Sequence, residues 1–346
     1  GTGAARPGTA PAGAHDDQGV RMTTVTGADE LTVTFRSMAS DIRVSVVAPT
    51  PRATAAVDAA CAAIRAVAAH VTRFDPASAL SRANARPSAW HVVPAELAEA
   101  IEEAERAHRT TDGLFDPRVL DRLLAWGYDR TFEEVVRTIA DAAPAGAPAA
   151  GPALAPRPPW RPTVLPGDDR RLVQLDGSPI DLGGIGKGLA VRRAAAVLRG
   201  AGSAVLVDAG GDEWLGGAGP DGDGWHVGVE DPHGGDDPLL VLSVTDSGCA
   251  TSSIRRRRWV AGDGTPVHHL VDPRTGRPGG PGLSAVTVLH RDPAWAEVWS
   301  KTLFLAGAVE VEAQARVRGL AAAWVTEAGA VRVSPAMEPH VRWRAA

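Results

Sequence analysis

Apolar and polar positions alternate in LTVTFR (31–36) and IRVSVVA (42–48), the two-residue period of half-buried strands, and the pair predicts neighbouring strands near the start of the chain. An Ala-rich stretch over about 52–71 reads as a helix, as does AELAEAIEEAERAHR over about 95–110, whose acids come early and bases late as the helix dipole favours. Thr131 with Glu134 forms a capping box for a short helix, which APAGAPAAGPALAPRPPWRP (143–162) is too rich in Pro to continue. Because a strand resumes at RLVQLD (171–176), the Pro/Ala-rich stretch is expected to be a surface insertion and not a domain boundary.

Strands then dominate: AVLVDA (204–209), WHVGVE (225–230), LLVLSV (239–244), VHHLV (267–271), SAVTVLH (284–290), AAWVTE (322–327) and AVRVS (330–334). One helix interrupts them after Gly188 and another from Pro293, with Asp292 as N-cap and Gly307 as its expected end. The succession predicts an α+β fold of mixed, largely antiparallel sheets with packed helices. Residues 1–28, rich in Gly, Ala and Pro without periodicity, are expected to form a flexible arm, leaving 29–346 as a single domain.

Composition narrows the function classes. A hydrophobic content of 44% over 346 residues supports a full-sized core, and a net charge of -5 argues against a nucleic-acid partner. Cys61 and Cys249 are far apart and form no CxxC, which excludes a Cys-rich zinc site or a disulfide framework. Neither a membrane span nor a signal peptide is expected, so cytoplasmic is the default location; a chain that opens on Gly instead of Met leaves export open. Of 36 cationic Lys and Arg residues only two are Lys, at positions 187 and 301. Against that background each lysine raises the question of what an ammonium does there that a guanidinium would not.

Three segments carry candidate chemistry. IDLGGIGKGLAV (180–191) passes from a strand end through a glycine cluster into a helix, a geometry whose free N–H groups favour an anion. It is neither a Walker A loop, since Gly188 follows Lys187, nor a dinucleotide fingerprint; a plain tight turn is the bland alternative, and Asp181 and Lys187 tilt the reading toward phosphate. In VHHLVDPRTGRP (267–278), a His beside Asp272 suits a general base, although Asp272 also suits a cap for the DPRTG turn. In EVWSKTLFLAG (297–307), Glu297 and Lys301 share a helix face, with Ser300 adjacent. Their ordinary reading is a surface ion pair worth roughly 0.2–0.5 kcal/mol.

Taken in order, SMASDIRVSV (37–46), RFDPASALSRAN (73–84), GLFDPRV with WGYD (113–129), IDLGGIGKG (180–188), VDAGGD (207–212), HHLVDPRTGRP (268–278) and AEVWSKTLFLAG (296–307) resemble the ApbE family of FAD:protein FMN transferases. DLGGIGKG together with HxxDPRTG is the most specific part of that likeness. The resemblance implies an ApbE-like flavin transferase fold and an enzyme that cleaves the FAD pyrophosphate and places FMN on a Thr or Ser hydroxyl of a target protein, with magnesium assisting and AMP released.

The same resemblance implies that Met38, Phe74, Leu114, Phe115, Asp116 and Asp181 line the FAD pocket, with Val271 beside them and Lys187 on phosphate. His269, with Asp272, would activate the target hydroxyl. The family's metal-binding Asp and Thr correspond here to Glu297 and Lys301, with Ser300 one residue before the Thr position. A charged ammonium has no lone pair and cannot ligate magnesium. Two expectations follow: Lys301 supplies a fixed positive charge paired to Glu297, or magnesium is held by Glu297, Ser300 and the Gly184 carbonyl with Lys301 as neighbour. ATSSIRRRRW (250–259) departs from the family as well, and its four arginines are either solvated or contact the AMP half or the acceptor. An FAD pyrophosphatase and a non-catalytic FAD carrier are the competing functions.

Overall fold

The computed structural model describes residues 23–26, 29–132, 135 and 157–345. The expected N-terminal arm, Glu134 of the capping box and most of the Pro/Ala-rich stretch lie outside those residues. The frame is a nine-stranded sheet in which every neighbouring pair is antiparallel and the strands follow one another in chain order: Thr23–Thr26, Glu30–Ser37, Ser40–Val47, Ala204–Ala209, Asp212–Gly216, Ser247–Ser253, Leu283–His290, Ala321–Thr326 and Val331–Val333. The first expected pair is a hairpin in the register Leu31↔Val46 to Ser37↔Ser40. Most other elements are inserted between consecutive strands, and Val341–Arg344 follows the last of them.

Six helices are described: α1 (Ala53–Val71), α2 (Ala79–Ala85), α3 (Ala95–Thr110), α4 (Leu120–Ala125), α5 (Gly186–Val197) and α6 (Pro293–Val317). One sheet face, with Val44, Val207, Val286 and Trp324 pointing into it, packs with α1, α3, α5 and α6 into the main core. The intervening positions Leu206, Leu289 and Ala323 face the other way, onto a smaller core under the three-stranded sheet of Trp225–Val229, Leu240–Val244 and Val341–Arg344. This alternation is the period of two that the strands carry in sequence.

Helix α1 is long and apolar enough to cross a membrane by composition. Its buried positions Ala56, Val57, Ala60, Ile64 and Val67 recur every three or four residues and pack in the main core, so its apolar face is used inside the protein.

The strands Asp212–Gly216 and Ser247–Ser253, both central in the sheet, are additions to the sequence reading, as are α2 and α4. Helix α6 passes beyond its expected end: Gly307, at φ 78°, breaks it where it crosses Pro281, and the chain resumes a helical path to Val317. The expected strand 267–271 is split into Pro266–His268 and Val271–Asp272, which frees His269 from the alternation of a continuous strand.

Candidate active site

Where α5 begins, its backbone touches the start of α6. A Cβ on Gly188 would stand 2.5 Å from Ala294 Cα and 2.7 Å from the Pro293 carbonyl oxygen, so only glycine permits the crossing. The approach brings Glu297 onto the glycine loop, where its Oε2 accepts the Gly188 N–H at 2.8 Å. Lys187, one residue earlier, is in direct contact with the carboxylate of Asp212. Burial presses the Lys187 ammonium toward the neutral form, but the Asp212 and Glu297 charges prevail and hold its pKa above the ordinary lysine value. Glu297 is pushed up to about 7 by burial and by the Asp212 charge, against the pull of both lysines.

In front of this cluster lies a cleft of about 910 Å³, large enough for a dinucleotide-sized ligand. Its apolar wall contains Met38, Leu114, Phe115 and Val271, and Phe74 stands at 36% exposure. Met38 and Ala39 form the two central positions of the hairpin turn, at φ 52° and 55°. A left-handed non-glycine pair of this kind costs of order 1–3 kcal/mol per residue, and it delivers the Met38 side chain into the cleft. The Asp116 carboxylate also borders the cleft, but both its oxygens are occupied by the Arg118 guanidinium, and Oδ1 also accepts the Arg118 N–H.

Asp181 accepts the Gly183 N–H at 2.6 Å and Arg73 Nε at 2.5 Å, tying the glycine loop to the end of α1. Arg73 is the residue that sequence reasoning missed. Its guanidinium sits 4.2 Å from the Phe74 ring centre and 4.7 Å from that of Tyr128, and its Nη1 donates to the Tyr128 carbonyl. Its Nη2 is buried without a partner among the described residues, a donor left over in a cleft-lining cation. The available signal was its place immediately before the FDPAS segment. Of the four arginines at 255–258, only Arg257 lines the cleft; Arg255 and Arg256 pair with Glu230, and Arg258 is exposed.

His269 borders the cleft, and its Nδ1 lies 3.3 Å from the Arg257 carbonyl oxygen. A carbonyl only accepts, so Nδ1 carries the proton and Nε2 keeps its lone pair. Burial, reinforced by the Arg257 and Lys301 charges, holds its pKa well below the ordinary histidine value. The neighbouring His268 instead packs edge-on against Phe304, and burial lowers it to about 4.

Three expectations are corrected. Asp272 does not orient His269: its carboxylate accepts the Arg274 N–H and pairs with the Arg274 guanidinium, making it the anchor of the DPRTG turn. Ser300 does not face the cleft; it is 1% exposed, donates to the Glu297 carbonyl and contacts Ser252 Oγ at 3.0 Å. Lys301 does not pair with Glu297. Its chain runs across the glycine loop, with Cε 2.6 Å from where a Cβ on Gly184 would stand, and among the described residues it forms no ion pair or hydrogen bond. Among the described residues no three His, Cys, Asp or Glu side chains form a group that would hold a metal ion.

The chain is similar to proteins named FAD:protein FMN transferase. The one from Escherichia coli strain K12 is 28% identical over 260 residues, covering 73% of this chain and 71% of that protein. The one from Treponema pallidum is 36% identical over 84 residues, 24% of this chain and 23% of that protein. Among solved structures, the ApbE protein of Thermotoga maritima superposes with a TM-score of 0.71 at 26% identity, over 91% of this chain and all of that one. The flavin transferase ApbE of Vibrio cholerae, at 20% identity over 90% of this chain and 99% of its own, shares the fold with a TM-score of 0.69. Residues 38–324, which include the hairpin turn, the glycine loop, His269 and Lys301, match the ApbE family as a whole, and this chain belongs to it.

Proposed function

We propose that this protein is an FAD:protein FMN transferase: it cleaves the FAD pyrophosphate, attaches FMN through a phosphoester to a Ser or Thr hydroxyl of an acceptor protein, and releases AMP. The observation that carries this reading is His269, held neutral with Nε2 unprotonated in a cleft bordered by Arg73, Lys187, Arg257 and Lys301. Family membership and the relatives' shared name support it.

The apolar wall with Met38, Leu114, Phe115 and Val271 and the exposed Phe74 ring offer surface for the isoalloxazine or adenine rings. The glycine loop and the four cations offer charge to the pyrophosphate, which is where phosphoryl transfer needs stabilisation. The unpartnered Arg73 Nη2 is a donor suited to a phosphate oxygen. The acceptor hydroxyl attacks the FMN-side phosphorus while His269 Nε2 takes its proton. The bond from that phosphorus to the bridging oxygen breaks, and that oxygen leaves with AMP. Magnesium does not fit the donors offered: Ser300 is turned into the core, a Glu297 oxygen is committed to Gly188, and the Lys301 side chain lies over Gly184.

The test is to incubate the protein with FAD and a synthetic acceptor peptide carrying a Ser/Thr flavinylation motif, following covalent FMN by mass spectrometry and AMP by chromatography. Equal amounts of both products are expected. His269→Ala should slow transfer by about 10²–10⁴-fold while FAD still binds, the usual loss for a general base. AMP without covalent FMN would make water the attacking group, and bound FAD with neither product would make the protein a carrier.

A further inference from the structure

Both lysines of this chain border the same cleft, but they are held differently. Lys187 is locked to Asp212, whereas Lys301 has carboxylates around it and, among the described residues, none in contact: Glu297, Asp212 and Asp181 act on it only through space. Its stem is pinned by the close approach to Gly184, where a Cβ would also meet Phe115 at 3.1 Å. Any side chain at position 184 would displace it.

We propose that the Lys301 ammonium takes the place that a divalent cation holds in metal-assisted phosphoryl transfer, so that FAD binding and FMN transfer by this protein need no magnesium. The inference rests on the reading of the cleft as an FAD site. A compact ammonium with three donors fits an ion-sized position beside the loop, which a planar guanidinium would not. Arg73, Lys187 and Arg257 complete the positive wall, so a doubly charged pyrophosphate finds its countercharge in the protein. A divalent ion next to Lys301 would instead meet like charge, and Ser300 and one Glu297 oxygen are already engaged within the protein.

In the transferase reaction the bond from the acceptor oxygen to the FMN-side phosphorus forms as that phosphorus parts from the bridging oxygen. The electron pair of the broken bond stays with AMP, and Lys301 supplies positive charge beside the phosphates throughout. Nothing is oxidised or reduced.

FAD is titrated into the full chain by flavin fluorescence, in EDTA and in excess magnesium, for the wild type, Lys301→Met and Lys301→Thr, with AMP and covalent FMN measured in the same samples. The wild type is expected to bind FAD equally in both buffers. Lys301→Met should weaken binding roughly 10- to 100-fold, the loss of one charge-assisted contact, without rescue by magnesium. Lys301→Thr, which restores a hydroxyl, should become magnesium-stimulated. Wild-type affinity or turnover that collapses in EDTA and returns with magnesium would overturn the proposal, as would Lys301→Met that binds FAD normally. If neither product forms but affinity ignores EDTA and depends on Lys301, the transferase reading fails and the built-in cation stands. Absence of FAD binding in both buffers would overturn both.

Discussion

Two clusters of charge meet α5, one along its middle at Arg192 and Arg193 and one at its N-terminal end at the cleft, and the completeness of their pairing sets them apart. At the outer face, Arg192 reaches Asp292 at 2.7 Å and Glu103 at 3.2 Å, and Arg193 pairs with Glu99 and with Glu96 at 3.3 Å, so each cation there has a carboxylate in contact. At the cleft, Arg73 keeps an unused donor, Lys301 has no contacting anion and His269 is held neutral. The first cluster is scaffold, fastening α3 and the start of α6 to α5. In the second, Arg73 and Lys187 are paired with Asp181 and Asp212, but one Arg73 donor and the Lys301 ammonium have no contacting carboxylate among the described residues, and an anionic ligand would complete them.

The largest effect that would sharpen this contrast is on stability. Lys187→Met leaves Asp212, whose side chain is 3% exposed, without its contacting cation, and should cost about 3–5 kcal/mol in chemical denaturation. Lys301→Met removes a buried charge that has no contacting partner, and should leave the denaturation midpoint unchanged or raise it. Equal destabilisation by the two changes would erase the distinction between a paired and a waiting ammonium.

The pH response comes next. A histidine lowered below its ordinary value stays unprotonated as pH falls through 6.5, so the FMN transfer rate should remain level across that point instead of halving there. The linkage has the matching sign: the unfolded chain takes up a proton on His269 below about 6.5 before the folded one does, so stability falls on acidification. His269→Ala should lose less stability over that interval, which a urea series at several pH values reads directly. The smallest effect is expected at Arg193, about 30% exposed in a screened network, where Arg193→Ala should cost about 1 kcal/mol or less and leave FAD affinity unaltered.

The features legible in sequence are those with local causes. The hairpin of Glu30–Ser37 and Ser40–Val47, the dipole-matched α3 and the glycine loop each announce themselves by periodicity, charge order or composition. Asp212–Gly216 and Ser247–Ser253 did not, because DEWLG and SGCATSS lack apolar alternation; they pair with each other, and the first with the preceding Ala204–Ala209, without a local pattern that marks them as strands. The same limit applies at the site. A spacing of four predicts that Glu297 and Lys301 meet, yet the backbone crossing at Gly188 offers Glu297 an amide and Gly184 offers Lys301 a channel. Asp272 was legible as a turn cap, and only its second expected role, toward His269, was mistaken.

The order of strands in the large sheet also bears on how the protein acquires its function during folding. Within that sheet nearly every pairing joins strands separated by a short turn or a modest excursion, and these can form early. The exception is Ser40–Val47 against Ala204–Ala209, which encloses α1 through α5. Closing so long a loop is the slow step that a meander otherwise avoids. It is also the step that joins the hairpin carrying Met38 to the strand that leads to Asp212, the partner of Lys187. A nascent chain thus has no flavin site until Ala209 has been made and paired, and slow closure would appear as a lag between compaction and the first capture of FAD.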